Sequence, residues 1–143
     1  MDHEAMVARE VLVLARKITC RRNRHLRQLD LTIEQADALI YFGDHPQQSM
    51  AAFKTVQQIT HQTARLIIQR LVKRKLLVLT ADPNDGRSKR VALTAAGQSK
   101  REQLRQHGWQ TSAALFKQFT PVQQQTFLAL LKLANQSLES SED

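Results

Sequence analysis

Between residues 60 and 94 the chain changes its hydrophobic period once, and few folds accommodate such a change in so short a span. Ala64, Ile67, Ile68 and Leu71 fall at i, i+3, i+4 and i+7, one stripe of a helix that starts at a Thr60 cap and runs to about residue 74. Residues 76–80 are then an apolar, partly β-branched run, and Arg90-Val91-Ala92-Leu93 alternates polar with apolar. Between them, Asp82-Pro83-Asn84-Asp85-Gly86 supplies turn chemistry, with Pro83 and Gly86 shaping the tip. The pattern is a helix followed directly by a two-stranded hairpin with Arg87, Lys89 and Arg90 near its tip.

The flanks read as further helices. Residues 5–27 carry Val7, Val11, Leu14, Ala15 and Ile18 at helical spacing, with basic residues filling the later turns. Thr32 and Gln35 have the spacing of a capping box, with Ile33, Ala36, Leu39 and Ile40 as the apolar stripe behind it; Gly43 and Pro46 end that helix. Residues 49–57 make a brief helix with Met50, Phe53 and Val56 inward, one tight turn before Thr60. Thr94 caps a long helix through Phe119, and Thr120-Pro121-Val122-Gln123 opens the last one with a second capping box and proline at its first position. In that last helix Phe127, Leu128, Leu130, Leu131, Leu133, Ala134 and Leu138 cover more than one face. Burial on two sides follows, either by self-association or by a central place in the domain.

A short helix, a tight turn, a helix with a polar outer face and a basic hairpin add up to a winged helix-turn-helix, mainly α with a small β-hairpin. Composition agrees: 143 residues with 42% hydrophobic content exceed what a disordered chain carries, and only 5% are aromatic. The single cysteine excludes an internal disulfide. No apolar run approaches the roughly 20 residues of a membrane span, and the first residues lack a signal-peptide pattern, so a cytoplasmic protein without a membrane partner is expected.

Charge narrows the partner. The net charge is +8, and residues 54–90 alone hold nine basic residues against two acids. A second cluster, Arg16, Lys17, Arg21, Arg22, Arg24 and Arg27, lies in the first helix and is partly offset by Glu4, Glu10 and Asp30. A localised positive field suits a polyanion, nucleic acid before anionic membrane; the plain alternative is a solvated surface. An α-helix fits the major groove of B-DNA, and the first turns of the 60–74 helix offer His61, Gln62, Thr63, Arg65, Leu66 and Gln69. Gln62 and Gln69 suit adenine, Arg65 suits guanine, and Leu66 suits a thymine methyl. For the glutamines the competing reading is simple solvation, and for Leu66 packing on a neighbouring helix. Thr60 and Thr63 serve the cap, and Thr63 is also within the chemistry of a phosphate contact.

The run from 31 to 97, with Leu31, Thr32 and Gln35 at its entry, the wing DPNDGR, and Leu93, Thr94 and Gly97 closing it, resembles the MarR family of bacterial transcription regulators. That resemblance implies a winged helix-turn-helix lobe at residues 31–94 and a helical dimerisation region formed by residues 1–30 and 95–143. It also implies a homodimer on double-stranded DNA with a pseudo-palindromic operator, acting as a repressor released by a small-molecule effector. Carried onto this chain, Arg87 enters the minor groove and Asp85 braces it by a charge-assisted bond, while Lys89 and Arg90 meet phosphates or stay solvated. The sequence departs from the family pattern at Lys75, where a glycine usually closes the helix, at Leu66, where a polar residue is frequent, and at Gln57, where an apolar one is usual.

Two further readings complete the expectation. Cys20, among Arg16, Lys17, Arg21 and Arg22, is either a redox-responsive thiol or a small packed hydrophobe. The five histidines are scattered, and neither a Gly-rich phosphate loop nor a nucleophile motif is present, so no metal, cofactor or catalysis is expected. The functional alternative to a DNA-binding regulator is a helical protein-interaction module that keeps the winged shape without a DNA role.

Overall fold

From the second helix onward, helix starts in this chain are fixed by hydroxyl caps. In the computed structural model, which describes residues 2–140, α1 spans His3–Gln28, α2 Ile33–Asp44, α3 Met50–Gln57, α4 His61–Lys73, α5 Ala95–Leu115 and α6 Pro121–Ser140. The strands are β1 Gln48–Ser49, β2 Leu77–Asp82 and β3 Asp85–Leu93. At α2 the Gln35 N–H donates to Thr32 Oγ1 (3.1 Å) and the Thr32 N–H donates to Gln35 Oε1 (3.2 Å). Thr120 and Gln123 repeat this reciprocal box at α6 (3.1 and 2.9 Å). Ser49, Thr60 and Thr94 accept from the N–H three residues on, at the starts of α3, α4 and α5. Each such cap contributes about 1 kcal/mol.

Helix ends use another device. Asp30, Gln58 and Lys75 have φ of 54°, 54° and 61°, left-handed conformations that usually call for glycine. After α4 the Lys75 N–H donates to the Val72 carbonyl (2.9 Å) and the Leu76 N–H to the Leu71 carbonyl (2.9 Å), a complete Schellman closure. Lys75 thus closes the helix as a glycine would, against an αL cost of about 1–2 kcal/mol.

The chain divides into two units, one up to Gly108 and one from Trp109 onward. The first is built around Phe42, Phe53, Leu39, Leu71, Leu77 and Val91, all fully buried. The four residues of the α4 stripe, Ala64, Ile67, Ile68 and Leu71, all lie in this core. The sheet is three-stranded and antiparallel in the order β1-β3-β2, with Gln48 and Ser49 opposite Val91 and Arg90. The expected two-stranded hairpin therefore gains a short third strand.

Four other expectations need correction. Val56 is 61% exposed, because a step of three residues turns a helix by about −60° and two such steps from Met50 carry Val56 off the core side. Gln57, at i+4 from Phe53, takes the half-buried place instead. Ile33 and Ile40 are exposed, since α2 buries Ala36, Ala38, Leu39, Tyr41 and Phe42 and its outer face falls at i and i+7 through the two isoleucines. The second strand begins at Asp85, not Arg90, and α5 ends at Leu115, not Phe119.

In the second unit Phe116, Phe119 and Phe127 meet edge to face, with centroids 5.1–6.1 Å apart, and fix the turn into α6. No α6 residue is fully buried, and Val122, Leu128, Leu130 and Leu133 are each more than half exposed. Among the described residues no helix is long and apolar enough to cross a membrane.

Candidate nucleic-acid interface

Burying one side of α4 leaves the opposite side to solvent. At about 100° per residue, Gln62, Arg65, Leu66, Gln69 and Lys73 fall within one arc opposite the buried stripe, and the first four are exposed while Lys73 is exposed at the far end of the helix. Leu66 keeps 41% of its surface open, although an apolar side chain there gains nothing from water. His61 and Thr63 flank the arc and are also exposed. The Thr63 hydroxyl accepts from the Thr60 hydroxyl (2.9 Å), which ties its side chain to the cap. The far end of α4 is anchored to α2: Arg74 donates to Gln35 Oε1 (3.1 Å), the oxygen that also completes the α2 capping box, and lies 3.6 Å from Asp30.

The closing motif of the lobe holds α4 against α5. Thr94 Oγ1 donates to the Lys75 carbonyl (2.6 Å) and accepts the Gly97 N–H (3.1 Å), while the Thr94 N–H donates to the Leu76 carbonyl (3.1 Å). A Cβ at position 97 would stand 2.1 Å from the Leu76 oxygen, so only glycine permits this approach.

The hairpin tip differs from a simple turn. Ala81 faces Lys89 and Asp82 faces Asp85, so Gly86, Arg87 and Ser88 have no counterparts on β2 and the strand bulges around Arg87. The turn itself is Pro83-Asn84, held by Asp82 Oδ1, which accepts the Asn84 N–H (2.9 Å). Gly86 is not shaping the tip through a left-handed φ: no glycine has positive φ, and a side chain at 86 would meet nothing within 4 Å. Asp85 holds Arg87 by the main chain, its Oδ1 accepting the Arg87 N–H (3.0 Å), while the Arg87 side chain is exposed on the bulge. Arg90 turns back to Asp82 (3.4 Å) and is half-buried, whereas Lys89 is exposed. The Asp82 carboxyl lies below its usual range, first through the Asn84 N–H and then through Arg90. Asp82 is legible in the sequence only as a turn residue; its role as the strut of the tip depends on the register of the bulge.

Cys20 is exposed on α1. Beside α4, a cleft of ≈ 340 Å³ is lined by Thr32, Glu34, Gln35, Thr63, Leu66 and Arg70 along with Ile67.

A helix-turn-helix made of α3 and α4, followed by a strand pair that projects a basic tip, defines a winged-helix protein. Residues 29–88 match the model described as the MarR family. The wild-type apo MarR from E. coli shares 26% identity over 89% of this chain and 94% of that one, with a TM-score of 0.74. A MepR mutant from S. aureus shares 21% identity over 96% and 99% (TM-score 0.79), and an S. aureus MepR–DNA complex 23% over 88% and 95% (TM-score 0.70). A sequence search among curated proteins gives no match. The chain has a winged-helix fold, and its residues 29–88 are similar to the MarR family.

Proposed function

We propose that this protein is a DNA-binding transcription regulator and not an enzyme, a homodimer that places two α4 helices in successive major grooves of a pseudo-palindromic duplex. The observation that carries the reading is the exposed arc Gln62, Arg65, Leu66 and Gln69, followed in the chain by a bulge that presents Arg87. The arc combines bidentate amides, a guanidinium and an apolar contact, the set that reads base edges. Arg87 suits a narrow minor groove, and Lys89 suits phosphate. The S. aureus MepR neighbour crystallised with DNA supports the same use of this fold.

The residues 31–94 act as the DNA lobe, and residues 1–30 and 95–143 join two copies. Support comes from apolar surface that one copy leaves open: Val7, Val11 and Leu12 on α1, and Val122, Leu128, Leu130 and Leu133 on α6. A small effector fits the cleft beside α4, whose Glu34, Thr63 and Arg70 offer polar partners around Leu66 and Ile67. An occupant there displaces groups that otherwise face DNA, which produces release from a repressed operator.

The test is a binding titration against duplex selected from random-sequence DNA by the protein. Gln62→Ala and Arg87→Ala together lower affinity by at least about tenfold, at about 1–3 kcal/mol per base contact, with dimerisation and Tm unchanged. Undiminished affinity in the double variant, or equal affinity for selected and random duplex, refutes the reading.

A further inference from the structure

The first helix holds a basic run that neither the base-reading arc nor the wing uses. No acid occurs between Glu10 and Asp30, while Arg16, Lys17, Arg21, Arg22, Arg24 and Arg27 all fall inside that interval. Arg22 is engaged, 2.6 Å from Asp37 on α2. Arg16, Arg24 and Arg27 are exposed, and none of them has an acidic partner among the described residues. At about 100° per residue these three share one face of α1 with Cys20 and Asn23, opposite the side on which His25 meets the Gln103 carbonyl of α5. They extend over roughly 16 Å of helix.

The position of this face decides its partner. A depression lined by Asn23, Arg27 and Thr32 adjoins the cleft lined by Thr32, Thr63, Leu66 and Arg70, with Thr32 common to both. The α1 face therefore continues, across the start of α2, into the exposed surface of α4. We infer that the Arg16–Arg24–Arg27 face is a second, sequence-independent DNA contact that seats on the phosphate backbone of the duplex read by α4. The inference rests on the DNA-binding reading above. Three unneutralised guanidiniums on one face repel one another in the free protein, and that repulsion is relieved when phosphates lie against them. Phosphate contacts of this kind add affinity and salt dependence without changing base preference.

The experiment compares wild type with Arg16→Gln/Arg24→Gln/Arg27→Gln on selected duplex over a salt series. The variant is expected to show a slope of log K against log salt shallower by about 0.9 for each phosphate it no longer neutralises, with base preference unchanged. Cys20, the only cysteine, gives a readout that needs no substitution. Saturating duplex is expected to slow its alkylation several-fold, and carboxymethylation, which adds a negative charge, to weaken DNA binding more than neutral carbamidomethylation does. An unchanged slope together with unchanged Cys20 reactivity overturns the inference while leaving the α4 reading intact. Failure of the wild type to bind any duplex removes both. Loss of binding only to vesicles of anionic phospholipid, with the DNA slope kept, assigns the face to a membrane surface and overturns the inference.

Discussion

Gly97 and Gly108 lie in the same helix, and replacing each by alanine is expected to move stability in opposite directions. At 97 an added Cβ would sit 2.1 Å from the Leu76 oxygen, 3.1 Å from the Leu76 carbon and 3.4 Å from Leu93 Cβ. A normal carbon–oxygen contact is about 3.3 Å or longer, so α5 must retreat by about 1 Å. That carbonyl cannot yield freely, because it accepts the Thr94 N–H at 3.1 Å, and the same threonine caps α5 through the Gly97 N–H at 3.1 Å. Overpacking of this kind costs about 1–3 kcal/mol and a weakened cap about 1 kcal/mol, offset in part by up to about 1 kcal/mol of helix propensity. The net is a loss of about 2–3 kcal/mol for Gly97→Ala, from the upper part of that overpacking range. At Gly108 nothing lies within 4 Å of the added Cβ, so only propensity remains and Gly108→Ala gains about 0.5–1 kcal/mol. Thermal denaturation at one protomer concentration checks both. Gly97→Ala lowers Tm by roughly 5–12 °C and Gly108→Ala raises it by about 1–4 °C. Shifts of the same sign in both variants refute the argument that the Leu76 carbonyl selects glycine at 97.

Lys75→Gly removes the αL penalty at the end of α4 while increasing the freedom of the unfolded chain, so a net gain of about 0.5–1 kcal/mol is expected in a chemical denaturation curve; a loss of stability shows that the lysine side chain makes a contact that outweighs its backbone conformation. His107 stacks on His25 with centroids 4.0 Å apart and planes 5° from parallel. Its pKa lies below the usual 6.5 through burial first, then through the charges of His25 and Arg21. The folded chain therefore takes up this proton less readily than the unfolded one, and stability that is full above pH 6.5 falls as pH drops through the lowered pKa. Tm measured from about pH 7.5 to about 5.5, a range that brackets an ordinary histidine, should decline, and His107→Gln should flatten the decline; an equal slope in the variant assigns the effect elsewhere.

How much could be read from the sequence depends on how local each determinant is. The starts of α2, α4, α5 and α6 were legible, because a cap joins a hydroxyl to an amide three residues on and the letters lie side by side, as at Thr32 and Gln35. The exposed arc of α4 was legible for the same kind of reason: once Ala64, Ile67, Ile68 and Leu71 are inside, geometry leaves Gln62, Arg65, Leu66 and Gln69 outside. What escaped depends on pairing between distant segments. Gln48 and Ser49 become a strand only because Val91 and Arg90 lie opposite, more than forty residues away. The three-residue bulge around Arg87 has no local signature either, since it is a mismatch in register between β2 and β3. The outward turn of Ile33 and Ile40 is of the same kind, because the face α2 buries is chosen by its neighbours α4 and β3. The wing shows both cases within ten residues: the Asx turn at Asp82-Pro83-Asn84 is written locally, but the return of Arg90 to Asp82, which distinguishes Arg90 from the exposed Arg87, exists only once the strands are in register. Sequence alone could therefore name the cations of the wing, and pairing decides which of them is left to meet a duplex.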